Sequence, residues 1–170
     1  MNEVLARWNT IESEEAATEI LPCCGSLVWA ERIAARRPFA GMKELLESAK
    51  EIWLALRVAD WIEAFESHPR IGESRPSAGT SAQSREWSSE EQRKVAEGDA
   101  AVKTALAEGN RKYEERFRRI FIVCATGKSP GEILEILRRR LQNDEATELR
   151  LVAAEQMEIM QIRLRKWLGV

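Results

Sequence analysis

The single histidine of this chain, His68, stands where an imidazole is suited to proton transfer. Histidine is the side chain whose unperturbed charge change lies nearest to neutral pH. Helix-forming residues precede His68, and Pro69 directly after it disfavours the helical conformation at His68 itself. We therefore predict that the imidazole projects from the end of a helix. There it either takes part in catalysis or simply bonds the last carbonyl groups of that helix.

A guanidinium is the second group that suits chemistry. At helical spacing, Arg163 lies on the same broad apolar face as Val152, Met160 and Leu164. A buried charge needs an anionic or hydrogen-bonding partner, because leaving it unpaired is very costly. The partner is either a buried carboxylate in a structural ion pair or an anionic ligand gripped by the planar fork of arginine.

A serine- and glutamate-rich stretch follows a long segment of loop-like composition. Ser88 and Glu91 have the spacing of a helix capping box, and so do Ser89 and Gln92. The pattern predicts that a helix begins here. A functional alternative is that the free N–H groups at the start of the helix bind an anion. In that alternative, Glu91 is the hydrogen-bonding partner of His68 or of a substrate hydroxyl.

The run Ile-Phe-Ile-Val-Cys-Ala at residues 120–125 is the one strand-like segment. It is too short and solitary for a sheet, so we expect a buried extended connector. Buried backbone groups without sheet partners need other partners. A planar, amide-rich ligand supplies them in one interpretation, and in the other the segment is only a hydrophobic connector.

Apolar residues recur at helical spacing along nearly the whole chain, which predicts an all-α, single-domain multi-helix bundle over residues 1–170. Residues 69–87, rich in Gly, Pro and Ser, are expected to form a long loop after His68. The helix from residue 88 to about residue 118 is expected to break at Gly98 and Gly109. The other helices are expected to begin near residues 2, 13, 26, 41, 60, 129 and 144.

Composition excludes several classes of protein. The hydrophobic content of 44%, the charged content of 32% and the net charge of −2 indicate a globular domain that binds neither nucleic acid nor an anionic membrane. The basic run at residues 138–140 is expected to be a solvated helix face. No apolar stretch approaches the ~20 residues of a membrane span. Three cysteines without a C-x-x-C pair, and no visible signal peptide, predict a cytoplasmic protein, and a single histidine argues against a zinc site.

Taken in order, these motifs resemble the family of 2-oxo-4-hydroxy-4-carboxy-5-ureidoimidazoline (OHCU) decarboxylase. The motifs are Ser67-His68-Pro69, Ser88-x-x-Glu91-Gln92, Tyr113-x-x-x-Phe117, the run at 121–125, Asn143, and the last helix with Arg163. The resemblance implies an all-helical, homodimeric carboxy-lyase without cofactor or metal. Its implied substrate is a small ureidoimidazoline of urate degradation, and its implied product is (S)-allantoin.

The resemblance also implies which residues act. The catalytic residues of the family fall on His68 and Glu91. A second stretch that contacts the substrate through backbone groups falls on residues 121–125. The implied substrate-binding residues are Pro69, Ser88, Ser89, Glu90, Gln92, Phe121, Ile122, Val123, Cys124, Ala125 and Arg163. Arg165 is the alternative to Arg163, and the apolar face of the helix favours Arg163.

The chain departs from the family at three places, one of which is a loop before Ser88 that is longer than in some members. Many members have Gly-Phe-Pro-Phe where this chain has Arg-Arg-Ile-Phe at 118–121, and Leu-Ala-Gly where it has Arg-Ile-Gly at 70–72. These changes leave the chemical positions intact and bear on the local backbone path and the substrate. Two alternatives therefore stay open here. One is a non-enzymatic helical interaction module, and the other is a decarboxylase of a related ureide or hydantoin-like acid.

Overall fold

Every regular element is a helix in the computed structural model of the chain, which describes residues 2–72, 81–96 and 99–170. The predicted all-α class is confirmed. Within the described ranges, no helix has the length and apolar character to cross a membrane. In chain order the elements are α1 (Glu3–Trp8), α2 (Ser13–Ile20), a 3-10 turn (Leu21–Cys23), α3 (Leu27–Ala35), α4 (Met42–Leu54), α5 (Val58–Glu66), α6 (Ala82–Glu91), α7 (Arg93–Ala96), α8 (Ala100–Phe117), α9 (Pro130–Arg140) and α10 (Glu145–Trp167).

The starts of α9 and α10 were predicted correctly, because a side chain caps each of these helices. The hydroxyl of Ser129 accepts a hydrogen bond from the N–H of Glu132, whose carboxylate accepts one from the N–H of Ser129, and Pro130 occupies the first turn of α9. Asp144 caps α10 in the same manner, since its carboxylate accepts from the N–H of Thr147 at 2.8 Å. These two helices begin where the sequence places them.

The predicted loop over residues 69–87 is wrong in its second half, because α6 begins at Ala82. The hydroxyl of Ser81 accepts from the N–H of Ser84 at 3.1 Å and caps this helix. Ser88 and Ser89 therefore lie in the body of α6 and do not cap it. The anion site expected at a helix start near residue 88 is wrong for the same reason. α6 escaped notice because it is polar and serine-rich, so its apolar stripe is weak.

The expected break at Gly109 is also wrong, since α8 runs through it from Ala100 to Phe117. Glycine is needed there for packing. A Cβ atom at Gly109 would lie 2.5 Å from Cδ2 and 3.2 Å from Cγ of Leu137 in α9, so the buried Leu137 side chain would have to shift to admit it. Gly98, the other expected break, lies outside the described residues.

The chain divides into two compact units, and the first comprises the residues up to Ala64 together with Met157–Val170. Buried tryptophans fix its helices through their indole N–H groups. Trp8 donates to the carbonyl of Ala16 at 3.0 Å, and Trp29 donates to the carbonyl of Ala49 at 3.1 Å. Each ring thus fills the core and also satisfies its one polar atom.

The second unit comprises Phe65–Gln156, and its core forms where α8 packs on α9. Tyr113 lies at the centre, with ring centroids 4.7 Å from Phe117 and 5.3 Å from Phe121. α8 ends at Phe117, and Arg118 then takes the left-handed conformation (φ 54°) that glycine adopts most easily. The backbone thus makes this turn with an arginine in place of glycine.

A buried carboxylate binds three helices of the second unit together. Glu148 of α10 is fully buried and accepts from Nε of Arg140 in α9 at 2.7 Å. It also accepts from the hydroxyl of Tyr113 in α8 and from the amide of Asn143 at 2.9 Å. Burial of Tyr113 raises the pKa of its hydroxyl. We call this set of four residues the Glu148 cluster, and its charges are compensated within the core.

Arg140 corrects the expectation of a solvated basic run at residues 138–140. Arg138 and Arg139 are exposed, as expected, but Arg140 is buried. The reason is helical spacing, because Ile133, Leu137 and Arg140 lie on the core-facing side of α9. Its guanidinium is tolerated there since it meets a carboxylate.

Replacing Gly109 by alanine is predicted to destabilise the protein by about 1–3 kcal/mol, because the added methyl group overpacks the contact with Leu137. The measurement is the free energy of unfolding from urea titration followed by circular dichroism. Gly131→Ala in α9 is the matched control, because a Cβ atom there meets nothing within 4 Å. It should be neutral or raise stability by at most about 1 kcal/mol. Equal effects of the two variants would contradict the close approach of α8 and α9.

Replacing Glu148 by alanine is predicted to cost about 3–5 kcal/mol of unfolding free energy, because it leaves the buried Arg140 uncompensated. Glu135→Ala is the control, since Glu135 forms an ion pair with Arg138 in which both side chains are exposed. We expect thermal unfolding to show a large fall in midpoint for the first variant only. A Glu148→Ala protein as stable as the control would refute the role given to this carboxylate.

Candidate active site

His68 lies just beyond the C-terminal end of α5, as its sequence context predicts. Its backbone N–H donates to the carbonyl of Phe65 at 3.2 Å, and the residue is only 5% exposed. An imidazole at a helix end would ordinarily be solvated. Because His68 is buried, its imidazole can exchange a proton only with the groups next to it or with a ligand bound there.

The chain that follows His68 is held by α8. Arg70 forms a two-pronged ion pair with Glu114, at 2.6 and 2.8 Å. The carbonyl of the buried Ile71 accepts from the side-chain amide of Asn110 at 2.9 Å. These contacts fix the main chain on the C-terminal side of the imidazole.

A further bond joins this segment to the end of α6. Gly72 has a φ of +81°, which an L side chain rarely adopts, and its N–H donates to Oε1 of Gln92 at 3.1 Å. Gln92 directly follows Glu91 in the chain. The segment that carries His68 and the helix end that carries Glu91 are thus tied together, and Gln92, a predicted substrate contact, holds main chain.

The residues predicted from Ser88 to Gln92 divide between two faces of α6. Trp87 and Ser88 are buried, and Glu91 is half-buried on the same side. Ser89 and Glu90 are exposed on the other side. The helical period therefore separates Ser88 and Glu91 from the two residues between them.

Glu91 also lies within electrostatic reach of the connector, the name used below for residues 121–125. Burial raises the pKa of the Cys124 thiol, and the carboxylates of Glu155 and Glu91 add to that rise while Lys128 opposes it. The structure thus brings the end of α6 near Cys124. A thiol with a raised pKa is a poor nucleophile, so Cys124 contributes through its main chain.

The connector has no regular secondary structure, and its five residues are between 2% and 7% exposed. The expectation of a buried connector without sheet partners is confirmed. Among the described residues, the N–H and C=O of Val123 and the N–H of Ala125 take part in no hydrogen bond. Buried backbone groups are nearly always paired in proteins. These three groups are therefore free to bind a ligand.

Arg163 belongs to the first unit, where it is fully buried. Its Nη1 donates to the carbonyl of Pro22 at 3.3 Å. Arg165 is exposed and bonds the carbonyl of Gln161 on its own helix at 3.1 Å. The apolar-face argument thus distinguished the buried arginine from the exposed one, and the role of Arg163 toward a substrate stays a prediction.

Among the polar residues that hold the connector, the two that bond Cys124 were missed from the sequence. Glu155 and Lys128 both bond the main chain of Cys124. Glu148 was missed as well, although helical spacing places it on one face with Val152 and Gln156. Within residues 2–72, 81–96 and 99–170, no three His, Cys, Asp or Glu side chains gather as metal ligands would.

Comparison with known proteins places this geometry in a family. The family model of OHCU decarboxylase matches residues 9–165. The uric acid degradation bifunctional protein TTL of Arabidopsis thaliana is 36% identical over 145 residues, which cover 85% of this chain and 44% of that protein. The chain therefore spans less than half the length of this relative.

Two further relatives match over most of both chains. The 2-oxo-4-hydroxy-4-carboxy-5-ureidoimidazoline decarboxylase of Amia calva is 31% identical over 157 residues, or 91% of this chain and 85% of that protein. A crystal structure of OHCU decarboxylase in the presence of (S)-allantoin superposes with a TM-score of 0.77 at 32% identity, covering 94% of this chain and 100% of that one. Because the family model and these relatives agree over nearly the whole length, the chain belongs to the OHCU decarboxylase family.

Proposed function

We propose that the protein is a cofactor-independent carboxy-lyase that converts OHCU to (S)-allantoin in urate degradation. Membership of the family supports this activity. The observation that carries it is the buried connector, which offers unpaired main-chain groups near Glu91 in the same unit as His68. A flat, amide-rich ring is the class of ligand that such groups fit.

The reaction needs no external electron sink. In OHCU, the ring carbon that bears the hydroxyl and the carboxylate adjoins a C=N bond. When the bond to the carboxylate breaks and carbon dioxide leaves, its electron pair forms a C=C bond between the two ring carbons. The electron pair of the C=N bond moves to the ring nitrogen, which takes up a proton. The hydroxyl then loses its proton to become a carbonyl, and the ring carbon that bears the ureido group gains a proton. The enzyme has to orient the carboxylate and deliver that proton to one face.

The residues of the second unit divide these tasks. His68 transfers the proton, since it is the one histidine of the chain and an imidazole is suited to both giving and taking a proton. Glu91 binds the substrate hydroxyl and orients His68. The connector holds the ring and the ureido arm through its main chain, and Pro69 and Ser88 contact the substrate. For Ser89, Glu90 and Gln92, contact with the substrate is proposed on the family resemblance alone.

Arg163 is proposed to hold an anionic or carbonyl oxygen of the substrate. Its burial in the first unit and its bond to the carbonyl of Pro22 support a guanidinium kept in one orientation. A structural role in the core of that unit is the alternative. The substrate affinity of an Arg163→Lys variant distinguishes the two roles, because lysine retains the charge and lacks the two-pronged geometry. A folded variant with weakened affinity supports substrate binding, and one with unchanged affinity supports the structural role.

We further propose that the protein is a single-domain, cytoplasmic homodimer. Three free cysteines, all buried, suit a reducing compartment. Leu27, Leu54 and Val58 are large apolar residues exposed on the first unit and suit a subunit contact. Light scattering coupled to gel filtration tests the dimer.

The activity is tested with OHCU generated in place by oxidising and hydrolysing urate. We expect the purified protein to accelerate allantoin formation and to yield an excess of the S enantiomer, measured by circular dichroism of the product. Related hydantoin-like acids serve as competing substrates. Formation of allantoin at the spontaneous rate, without enantiomeric excess, would overturn the proposal.

His68→Asn is predicted to reduce kcat by roughly 100- to 10,000-fold, the usual contribution of a general acid or base. The side chain stays polar and similar in size, so the helical circular dichroism and the unfolding midpoint should match the wild type. A folded variant with a near-normal rate would remove His68 from the mechanism.

Glu91→Gln is predicted to reduce kcat by at least about tenfold while leaving the unfolding midpoint unchanged, because it removes a charge that contacts the substrate. Glu86→Gln is the matched control, since Glu86 is an exposed carboxylate on the same helix to which no substrate role is assigned. It should retain wild-type kcat and KM. Equal kinetics for the two variants would show that Glu91 has no part in the chemistry.

A further inference from the structure

We propose that Glu155, together with Lys128 and Arg140, is a positioning residue that holds the main chain of the connector so that its opposite edge recognises a cyclic ureide. The inference rests on the proposed function and deepens it. Each of the three side chains bonds one of three consecutive peptide groups. None of the three was among the residues that the sequence predicted to act.

The first peptide group joins Ile122 to Val123. Nη1 of Arg140 donates to the carbonyl of Ile122 at 2.6 Å. Among the described residues the only cis peptide bond lies elsewhere, so this peptide group is trans and planar. Its N–H therefore points directly away from its carbonyl. By holding the carbonyl, Arg140 directs the N–H of Val123 to the opposite side.

The second peptide group joins Val123 to Cys124. Oε2 of Glu155 accepts from the N–H of Cys124 at 2.7 Å, the length of a charge-assisted bond. Because the group is planar, the carbonyl of Val123 points away from Glu155. This carbonyl has no hydrogen-bond partner among the described residues.

The third peptide group joins Cys124 to Ala125. Nζ of Lys128 donates to the carbonyl of Cys124 at 2.6 Å, which directs the N–H of Ala125 away. The three outward groups follow in the order donor, acceptor, donor. A ring edge with alternating C=O, N–H and C=O groups, as in a cyclic ureide, is complementary to that order.

Glu155 is the most informative of the three to change. Arg140 also belongs to the Glu148 cluster, so its loss would perturb the fold as well as the connector. Glu155 is half-buried, and its carboxylate accepts a hydrogen bond from the connector. Groups that bind substrate and transition state alike affect KM more than kcat. A misplaced connector should therefore weaken binding and leave the chemical step nearly intact.

The test compares Glu155→Ala, Glu155→Gln and the control Glu158→Ala, which removes an exposed carboxylate from the same helix. For Glu155→Ala we expect KM for OHCU and Kd for (S)-allantoin to rise about tenfold, with kcat within about twofold of wild type. Glu155→Gln keeps a side-chain oxygen that accepts from the N–H of Cys124 and should recover most of the affinity. Glu158→Ala should match the wild type. A Glu155→Ala protein with wild-type affinity would overturn the proposal.

Amide NMR of the 15N-labelled full chain supplies a readout that does not depend on activity. The amide proton of Cys124 should resonate downfield in the wild type and move upfield in Glu155→Ala. Added (S)-allantoin should shift the amide resonances of Val123 and Ala125 in the wild type. An unchanged Cys124 resonance would refute the bond to Glu155, even in a protein that makes allantoin. A wild type that makes no (S)-allantoin, but shows the Cys124 shift, would overturn the proposed function and leave the main-chain contact intact.

Discussion

The carboxylate of Glu148 imposes the constraint on which the second unit depends. A charge without access to water must be surrounded by donors, and Glu148 finds them in Tyr113, Arg140 and Asn143. Those donors come from α8, α9 and the turn before α10, so satisfying one charge fixes three helices. The guanidinium of Arg140 then reaches the carbonyl of Ile122. The position of the connector is thus a consequence of how the core neutralises its charges.

Much of the fold was predictable, because apolar periodicity and side-chain caps are local properties of the sequence. α9 and α10 begin where Ser129 and Asp144 predict. α6 was not predictable in the same way, since a polar helix gives little periodicity and its cap, Ser81, stands among other serines and threonines. Arg140 was misassigned because two exposed arginines precede it, and only the phase of α9 separates them.

The candidate site was also predictable only in part. His68 and Glu91 were predicted to act because their side chains carry recognisable chemistry. Glu155 and Lys128 were not identified, because they act on the peptide backbone, which is the same at every position. No residue type in the connector records which of its carbonyl and N–H groups will be held. Only the folded chain reveals that.

The unpaired edge of the connector has a consequence for how the protein can change. Val123 and Ala125 offer groups that every non-proline residue possesses, so side chains there can drift among apolar types without altering what is offered to a ligand. A substitution at Val123 or Ala125 should therefore change ligand selectivity little. A substitution of a side chain that holds the connector should change it more. Within a family that binds one kind of ring, we expect the connector side chains to vary more than the residues that hold its main chain.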